Sequence, residues 1–258
     1  MRRSLGKSIA LYVGVAIVCV IIAFPVYWMV NQSIQSESVF RYPPLLVPKG
    51  VTFQSYVDVI QGRPVLPWFC NTLVVALATA FLTLVGSVSA GYSLSRFRTK
   101  TNTFTGIAVL ATQMLPATLL VIPIYVIFKN FGLLDSLVGL TLSNIAFSLP
   151  LGIWMMKGFF DSIPVEIDEA GLIDGCSRVR VITDLILPVS LPGLVTVLTS
   201  SFLLAWDEYF MARTLISSES KWVLSVGLSS FIGEYSIQWD EMLAAAVIFC
   251  IPPLLLFT

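Results

Sequence analysis

The chain's 258 residues carry 15 basic and 15 acidic side chains, 57% of them are hydrophobic, and the mean hydropathy is +0.89. That is too apolar for a chain surrounded by water, so the sequence reads as a membrane protein. A net charge of zero leaves no basic face for nucleic acid. With no histidine, and with Cys19, Cys70, Cys176 and Cys250 scattered and lacking a C-x-x-C pair, neither a metal site nor a catalytic constellation is expected.

In chain order, Arg2, Arg3 and Lys7 precede an apolar run from Ile9 to Val30. The run is long for a signal-peptide core and no small-x-small cleavage site follows, so it is read as a retained transmembrane helix 1. Gly6-Lys7-Ser8 looks like the end of a phosphate-binding loop, but Met1 stands where that loop needs its first glycine. Nucleotide chemistry is therefore assigned to another chain. Residues 31 to 67 turn polar and proline-rich, with Pro43, Pro44, Pro48, Pro64 and Pro67, and read as an outer loop. Helix 2 is expected over Trp68 to Leu94, with Gly86, Ser87, Ser89, Ala90 and Gly91 as a small-residue face for close packing. Arg96, Arg98 and Lys100 mark an inner loop. Helix 3 is expected within Thr101 to Phe128, interrupted by Pro116 and Pro123, and helix 4 over Ser136 to Met156.

Pro164 to Pro188 is charged and amphipathic in a chain otherwise built for lipid. Ile163, Ile167 and Ala170, then Val179, Ile182 and Ile186, fall at helical spacing, with Asp174-Gly175 between them. The expectation is two short helices joined by a turn, with Glu166, Asp168 and Glu169 placed at the positive end of the first helix dipole. Helix 5 is expected from near Pro192 to before Arg213, and helix 6 from near Met242 to Thr258. Trp222 to Gly233 is apolar but too short to span, and reads as interfacial or re-entrant.

Glu169-Ala170-Gly171, then Gly175, nine residues, and Leu185-x-Leu187-Pro188 resemble the EAA motif E-A-A-x3-G-x9-I-x-L-P of ABC importer permeases. Two positions depart from it: Gly171 where the motif has its second Ala, and Leu185 where it has Ile. Gly158-Phe159-Phe160, Ile163-Pro164 and Asp174-Gly175 around the motif resemble the carbohydrate, maltose-permease-like members. So do Phe53-Gln54-Ser55-Tyr56, Asn71, Gln113 to Pro116 and Ile122 to Tyr125.

The resemblance implies an all-α membrane protein of six transmembrane helices in the type I ABC importer permease fold, with cytoplasmic EAA coupling helices. It divides the chain into residues 1–67, helix 1 with an extracytoplasmic loop, and 68–258, a permease core whose coupling segment is 157–190. It further implies a second permease subunit in a heterodimer, two ATPase subunits that bind the ATP and Mg, and an extracytoplasmic solute-binding protein. This chain would hold no cofactor, contact lipid but no nucleic acid, and break no bonds. Glu166, Glu169, Ala170, Gly171, Asp174, Gly175 and Pro188 are the ATPase-coupling candidates. Glu169 is expected to pair with a basic ATPase residue, Ala170 and Gly171 to permit close approach, and Gly175 to form the turn. A basic cytoplasmic tail, usual in the family, has no counterpart past Glu241.

Charge supports an inner (cell) membrane orientation with both termini cytoplasmic. Of the 15 basic residues, Arg2, Arg3, Lys7, Arg96, Arg98, Lys100, Lys157, Arg178 and Arg180 then lie inside. Ionisable or amide residues within spans are candidates for the translocation path: Asp207 and Glu208 first, then Asn144 and Gln113, with interhelical hydrogen bonding as the competing use. Trp28, Trp68, Trp154, Trp206, Trp222 and Trp239 mostly fall near expected span ends and read as interfacial belts, with stacking on a sugar in the pore as the competing use. Sugars are the favoured substrate; a polyamine or other small solute stays open, as does, more remotely, an ion-coupled carrier or channel.

Overall fold

The computed structural model describes residues 5–35, 46–48, 50–97, 99–233 and 239–256. Arg2, Arg3, Pro43, Pro44, Arg98 and Thr258, used above, lie outside the described residues. Among the described residues the regular structure is helical, save one isolated bridge between Gln35 and Val51. The helices are α1 (Leu5–Ser33), α2 (Gln54–Gly62), α3 (Val65–Arg96), α4 (Lys100–Thr112), α5 (Ala117–Asn130) and α6 (Leu137–Asp161). They continue with α7 (Glu166–Ile173), α8 (Arg178–Val189), α9 (Leu191–Trp206), α10 (Phe210–Leu215), α11 (Leu224–Ser229) and α12 (Trp239–Leu256).

Of these, α1, α3, α6 and α12 are long and apolar enough to cross a membrane. Two further pairs meet the same test only together: α4 with α5, bent by 100°, and α8 with α9, bent by 82°, giving up to six spans. Helix 3 of the sequence reading is thus two helices. Pro116 is the break, because it sits extended (φ −64°, ψ 130°) just before α5, while Pro123 stays inside α5. The fifth expected span differs as well. α9 stops at Trp206, and its 16 residues reach only about 24 Å against a hydrocarbon thickness of about 30 Å. Residues 207–209 are unwound before α10 begins, which places Asp207 and Glu208 in a break and not within a helix.

The chain forms two compact units, Met1–Leu66 with Leu228–Thr258, and Pro67–Gly227. In the first, α12 packs on α1 and α2. Arg63 there lies 4.8 Å from the Phe231 ring and 4.0 Å from Glu241, and Ser33 and Tyr56 share a 2.7 Å hydroxyl contact. The side chains of α1 from Leu11 to Phe24 are exposed, as a lipid-facing helix requires.

The second unit is centred on α6. The small-residue face of α3 meets it so closely that a Cβ on Gly91 would stand 3.0 Å from the Lys157 backbone nitrogen and 3.1 Å from the Ile153 carbonyl. A Cβ on Gly152 would stand 2.3 Å from Ser87 Oγ. On another side α9 packs on α6, where Gly193 leaves room for the Phe159 ring. Close approach of this kind is how membrane helices gain dispersion energy when burial from water is not on offer. Thr83 and Ser148 share a 2.7 Å hydrogen bond across the same interface.

Trp68 and Trp206 are wholly buried and do not join an interfacial belt. Trp68 donates through Nε1 to the Glu219 carbonyl at 3.0 Å and packs at 5.8 Å, tilted, on Trp222, while Trp206 packs on Phe69 and Phe202. Asn71 donates to the carbonyls of Ser220 and Trp222. Asp135, at φ +53°, accepts from the backbone of Ser217 and Ser218, from Ser218 Oγ at 2.6 Å and from Lys221 Nζ at 3.0 Å. Donation by Ser218, first through its hydroxyl, with Lys221 added, holds the Asp135 carboxyl far below the usual carboxylate range. The loop 216–222 is thereby tied to the start of both α3 and α6.

Candidate functional site

α7 begins where Pro164 offers its carbonyl to the Ile167 amide and ends in a glycine turn. Gly175 lies at φ +86°, its amide donating to Leu172, while the Cys176 amide reaches back to the Gly171 carbonyl at 3.0 Å. That 6→1 and 5→2 pair is a Schellman closure, and the left-handed residue it needs is the glycine of the motif. α8 then packs against α7, with Ser177 capping it by accepting at Oγ from the Arg180 amide.

The face that α8 buries matches its spacing only in part: Ile186 is buried and Ile182 packs against the buried cluster, while Val179 faces out. Val181 and Ile186 are buried and Val179 is 69% exposed, because Val181–Ile186 is π-helical. In such a turn residues five apart share a face, which a 3.6-residue period cannot anticipate. On α7 it is Gly171 that turns inward while Ala170 is exposed. A Cβ on Gly171 would lie 2.6 Å from Leu185 Cδ1 and 3.0 Å from Val181 Cγ2. The close approach assigned to Gly171 is therefore made within this chain. The two departures from the motif touch each other: the missing methyl at 171 is the space that Leu185 fills.

The arm is anchored to α3 by charge. Arg96 Nε lies 2.9 Å from Asp168 Oδ2, both side chains being 8% exposed, and Tyr92 donates its hydroxyl to Asp168 Oδ1. Arg96 also donates to the carbonyls of Phe160 at 2.9 Å and Ile163 at 3.2 Å. The Phe160 ring meets Tyr92 edge-on, in a buried cluster with Met156, Ile163, Val181, Ile186 and Val197. Removing one member of a buried charge pair leaves the other uncompensated, at about 3–5 kcal/mol. With its inner side so fixed, α7 turns Glu166, Glu169, Leu172 and Ile173 outward, and Ile173 is 84% exposed. Asp174 and Pro188 are exposed too, Pro188 closing α8 before the 82° bend into α9.

The in-membrane candidates separate into different places. Gln113 and Glu208 line one cavity of about 440 Å³, with Pro116, Thr118, Phe147 and Phe210. Glu208 accepts from the Met211 amide at 2.7 Å and the Ala212 amide at 2.8 Å, capping α10 with both carboxylate oxygens. Gln113 donates to the Phe147 carbonyl. Asp207 is exposed and closes α9, and it does not line that cavity. Asn144 is fully buried in α6 without a hydrogen-bond partner for its amide, and is likewise absent from the lining. Sequence reasoning missed Tyr92, Arg96 and Asp168 as a unit. The signal within reach was a Tyr and an Arg four apart on the last turn of an apolar helix, which share one face.

Membrane-length helices carrying a polar two-helix arm are the architecture of a membrane transport subunit. The chain belongs to the family described as "Binding-protein-dependent transport system inner membrane component", whose model matches residues 82–258. It is 29% identical over 259 residues to the inner membrane ABC transporter permease protein YcjP of Escherichia coli (strain K12), covering 99% of this chain and 92% of that one. It is 30% identical to the trehalose/maltose transport system permease protein MalG of Thermococcus litoralis, covering 98% of this chain and 91% of that one. The fold matches that of a bacterial ABC transporter involved in the import of the acidic polysaccharide alginate, with a TM-score of 0.85 at 21% identity, covering 100% of this chain and 97% of the other. The protein is accordingly a multi-pass permease subunit of an ABC importer.

Proposed function

We propose that this permease serves an importer of sugars or oligosaccharides, that α7 and α8 are its cytoplasmic coupling helices, and that both chain termini are cytoplasmic. The observation that carries the coupling role is the arm itself: Asp168 is buried against Arg96 while Glu169, Leu172 and Ile173 are presented outward one, four and five residues along the same helix. An element held rigidly on one side and apolar and acidic on the other suits a partner that must push on it. That partner is an ATPase subunit, one of two, which supplies the ATP and Mg; Glu169 pairs with a basic residue of its groove. A second permease completes the pathway as a heterodimer, and a solute-binding protein delivers substrate from outside. ATP-driven closure of the ATPases shifts the two permeases between outward- and inward-open states.

Sugar as substrate is supported by the full-length similarity to a trehalose/maltose permease. The cavity at the α9–α10 break adds to it: Phe147 and Phe210 offer aromatic faces, and the Gln113 amide and Glu208 carboxylate offer acceptors for hydroxyl groups. Broken helices with a polar break are where membrane transporters build such sites. The same carboxylate would suit an amine, which keeps a polyamine as the second reading. The deciding experiment reconstitutes this chain with a second permease, an ATPase and a binding protein from the same genome, and measures ATP-dependent uptake of labelled maltose, trehalose and spermidine. Uptake of a sugar is expected; uptake of spermidine alone would overturn the sugar assignment. Glu169→Lys and Gly175→Arg should each abolish uptake, and wild-type uptake in both would overturn the coupling role.

A further inference from the structure

Chain connectivity ties α7 to α6 through residues 162–165 and ties α8 directly to α9 through Ser190, yet no covalent link joins the arm to α3. The polar join is made chiefly by Arg96, beside the packing of Tyr92 against the arm. Arg96 places each of its three guanidinium nitrogens on a different partner: Nε on Asp168 of α7, Nη1 on the Phe160 carbonyl in the last turn of α6, and Nη2 on the Ile163 carbonyl in the connection. It therefore spans the very segment about which α7 would otherwise pivot. Tyr92, one turn earlier on α3, holds the second carboxylate oxygen of Asp168.

We propose that Arg96, assisted by Tyr92, is the positioning residue that makes α7, the end of α6 and the end of α3 move as one body, so that a push on the arm reaches α3 and is not spent in flexing residues 162–165. The inference rests on the coupling role given to α7 above and names the route by which that role reaches the membrane. A planar guanidinium suits the task, because its five N–H donors leave three separate nitrogens in fixed directions and so reach acceptors set apart, where the three donors of a lysine radiate from a single nitrogen. Burial keeps the contacts from being exchanged for water. Swinging α7 away would strand both charges, whereas moving the three helix ends together breaks none of these bonds.

The test uses the assembled importer with a spin label at Glu166→Cys on α7 and a second at the native, exposed Cys70 near the far end of α3, the other cysteines being replaced by serine. The two positions are separated by about 40 Å of helix, within the range of pulsed electron resonance. Co-purification of the ATPase with the labelled complex is recorded alongside. In the wild-type background the distance distribution should be the same with and without ATP; in Arg96→Ala it should broaden or gain a second distance on ATP addition. ATP hydrolysis in that variant should persist while maltose uptake falls by about ten-fold or more, the order of a typical coupling free energy between two sites. A wild-type distance that changes with ATP would show the arm pivoting, and an Arg96→Ala distance that stays fixed would show that another contact holds it; either result overturns the proposal. Should Arg96→Ala not assemble, Tyr92→Phe is read by the same two outcomes, since it keeps the ring against Phe160 and loses one donor. An ATPase that fails to co-purify with the wild-type chain is a separate result: it removes the coupling role itself, and this inference with it.

Discussion

The contact between Gly171 and Leu185 makes a sharp quantitative prediction. Gly171→Ala restores the alanine of the motif and, in a helix interior, gains about 1 kcal/mol of backbone entropy and propensity. Against this, the new methyl falls 2.6 Å from Leu185 Cδ1 and 3.0 Å from Val181 Cγ2. Relieving overlaps of that depth in a packed interface costs about 1–3 kcal/mol, so the single variant should be less stable than the parent by up to about 2 kcal/mol. Leu185→Ile alone, a volume-conserving change, should cost under about 1.5 kcal/mol. In the double variant the branch at Cβ withdraws the δ carbon from the glycine, and the two changes should offset each other, with a favourable coupling of about 1 kcal/mol. Apparent melting temperature of the purified chain in one detergent, measured for all four proteins, is the assay. The order expected is Gly171→Ala lowest and the double variant restored toward the parent. Shifts that simply add, within about 0.5 kcal/mol, would refute the claim that the two departures compensate.

Other consequences can be checked with equal economy. Gly91→Ala should lower the melting temperature, because the methyl meets the Ile153 carbonyl and Lys157 amide nitrogen and backbone cannot step aside, while Gly158→Ala, with nothing within 4 Å, should raise it through a propensity gain of about 1 kcal/mol. Equal shifts for the two would contradict the close crossing of α3 and α6. The lowered pKa of Asp135 fixes a sign: a carboxyl depressed in the folded state contributes stability that is present above the ordinary carboxylate pKa and lost as pH falls through the lowered one. The difference in melting temperature between the parent and Asp135→Asn should thus be full at neutral pH and shrink only below about pH 4. Glu208→Gln keeps one carbonyl oxygen for two amides, so α10 should fray at a cost of about 1–3 kcal/mol and maltose uptake should drop; uptake equal to the parent would show that the cap is dispensable.

Much of the architecture is written in local pattern, and the parts that are not have physical reasons. Long apolar runs announce α1, α3, α6 and α12, and Asp174-Gly175 announces the turn between α7 and α8, because each depends on neighbours a few residues away. Pro116 and Pro123 look alike in sequence, yet one ends up before a first helical turn and the other within α5; which carbonyls neighbouring helices can re-satisfy is a tertiary matter. The exposure of Val179 follows from a π segment that no α-helical periodicity encodes. Trp68 and Trp206 carry the composition of an interfacial belt but are used as packing centres. Arg96 and Asp168 are separated by 72 positions, so one reads as a loop charge and the other as a dipole partner until the fold joins them. Gln113 and Glu208 meet in one cavity while Asn144 does not, since helix register decides which polar side chain faces which space.

The most direct measurement is a photocrosslink from the tip of the arm. With benzoylphenylalanine at Ile173, the exposed apolar residue closing α7, irradiation of the assembled importer in native membranes should join this chain to the ATPase subunit. Crosslinks to lipid or to the solute-binding protein alone, with none to the ATPase, would contradict the account.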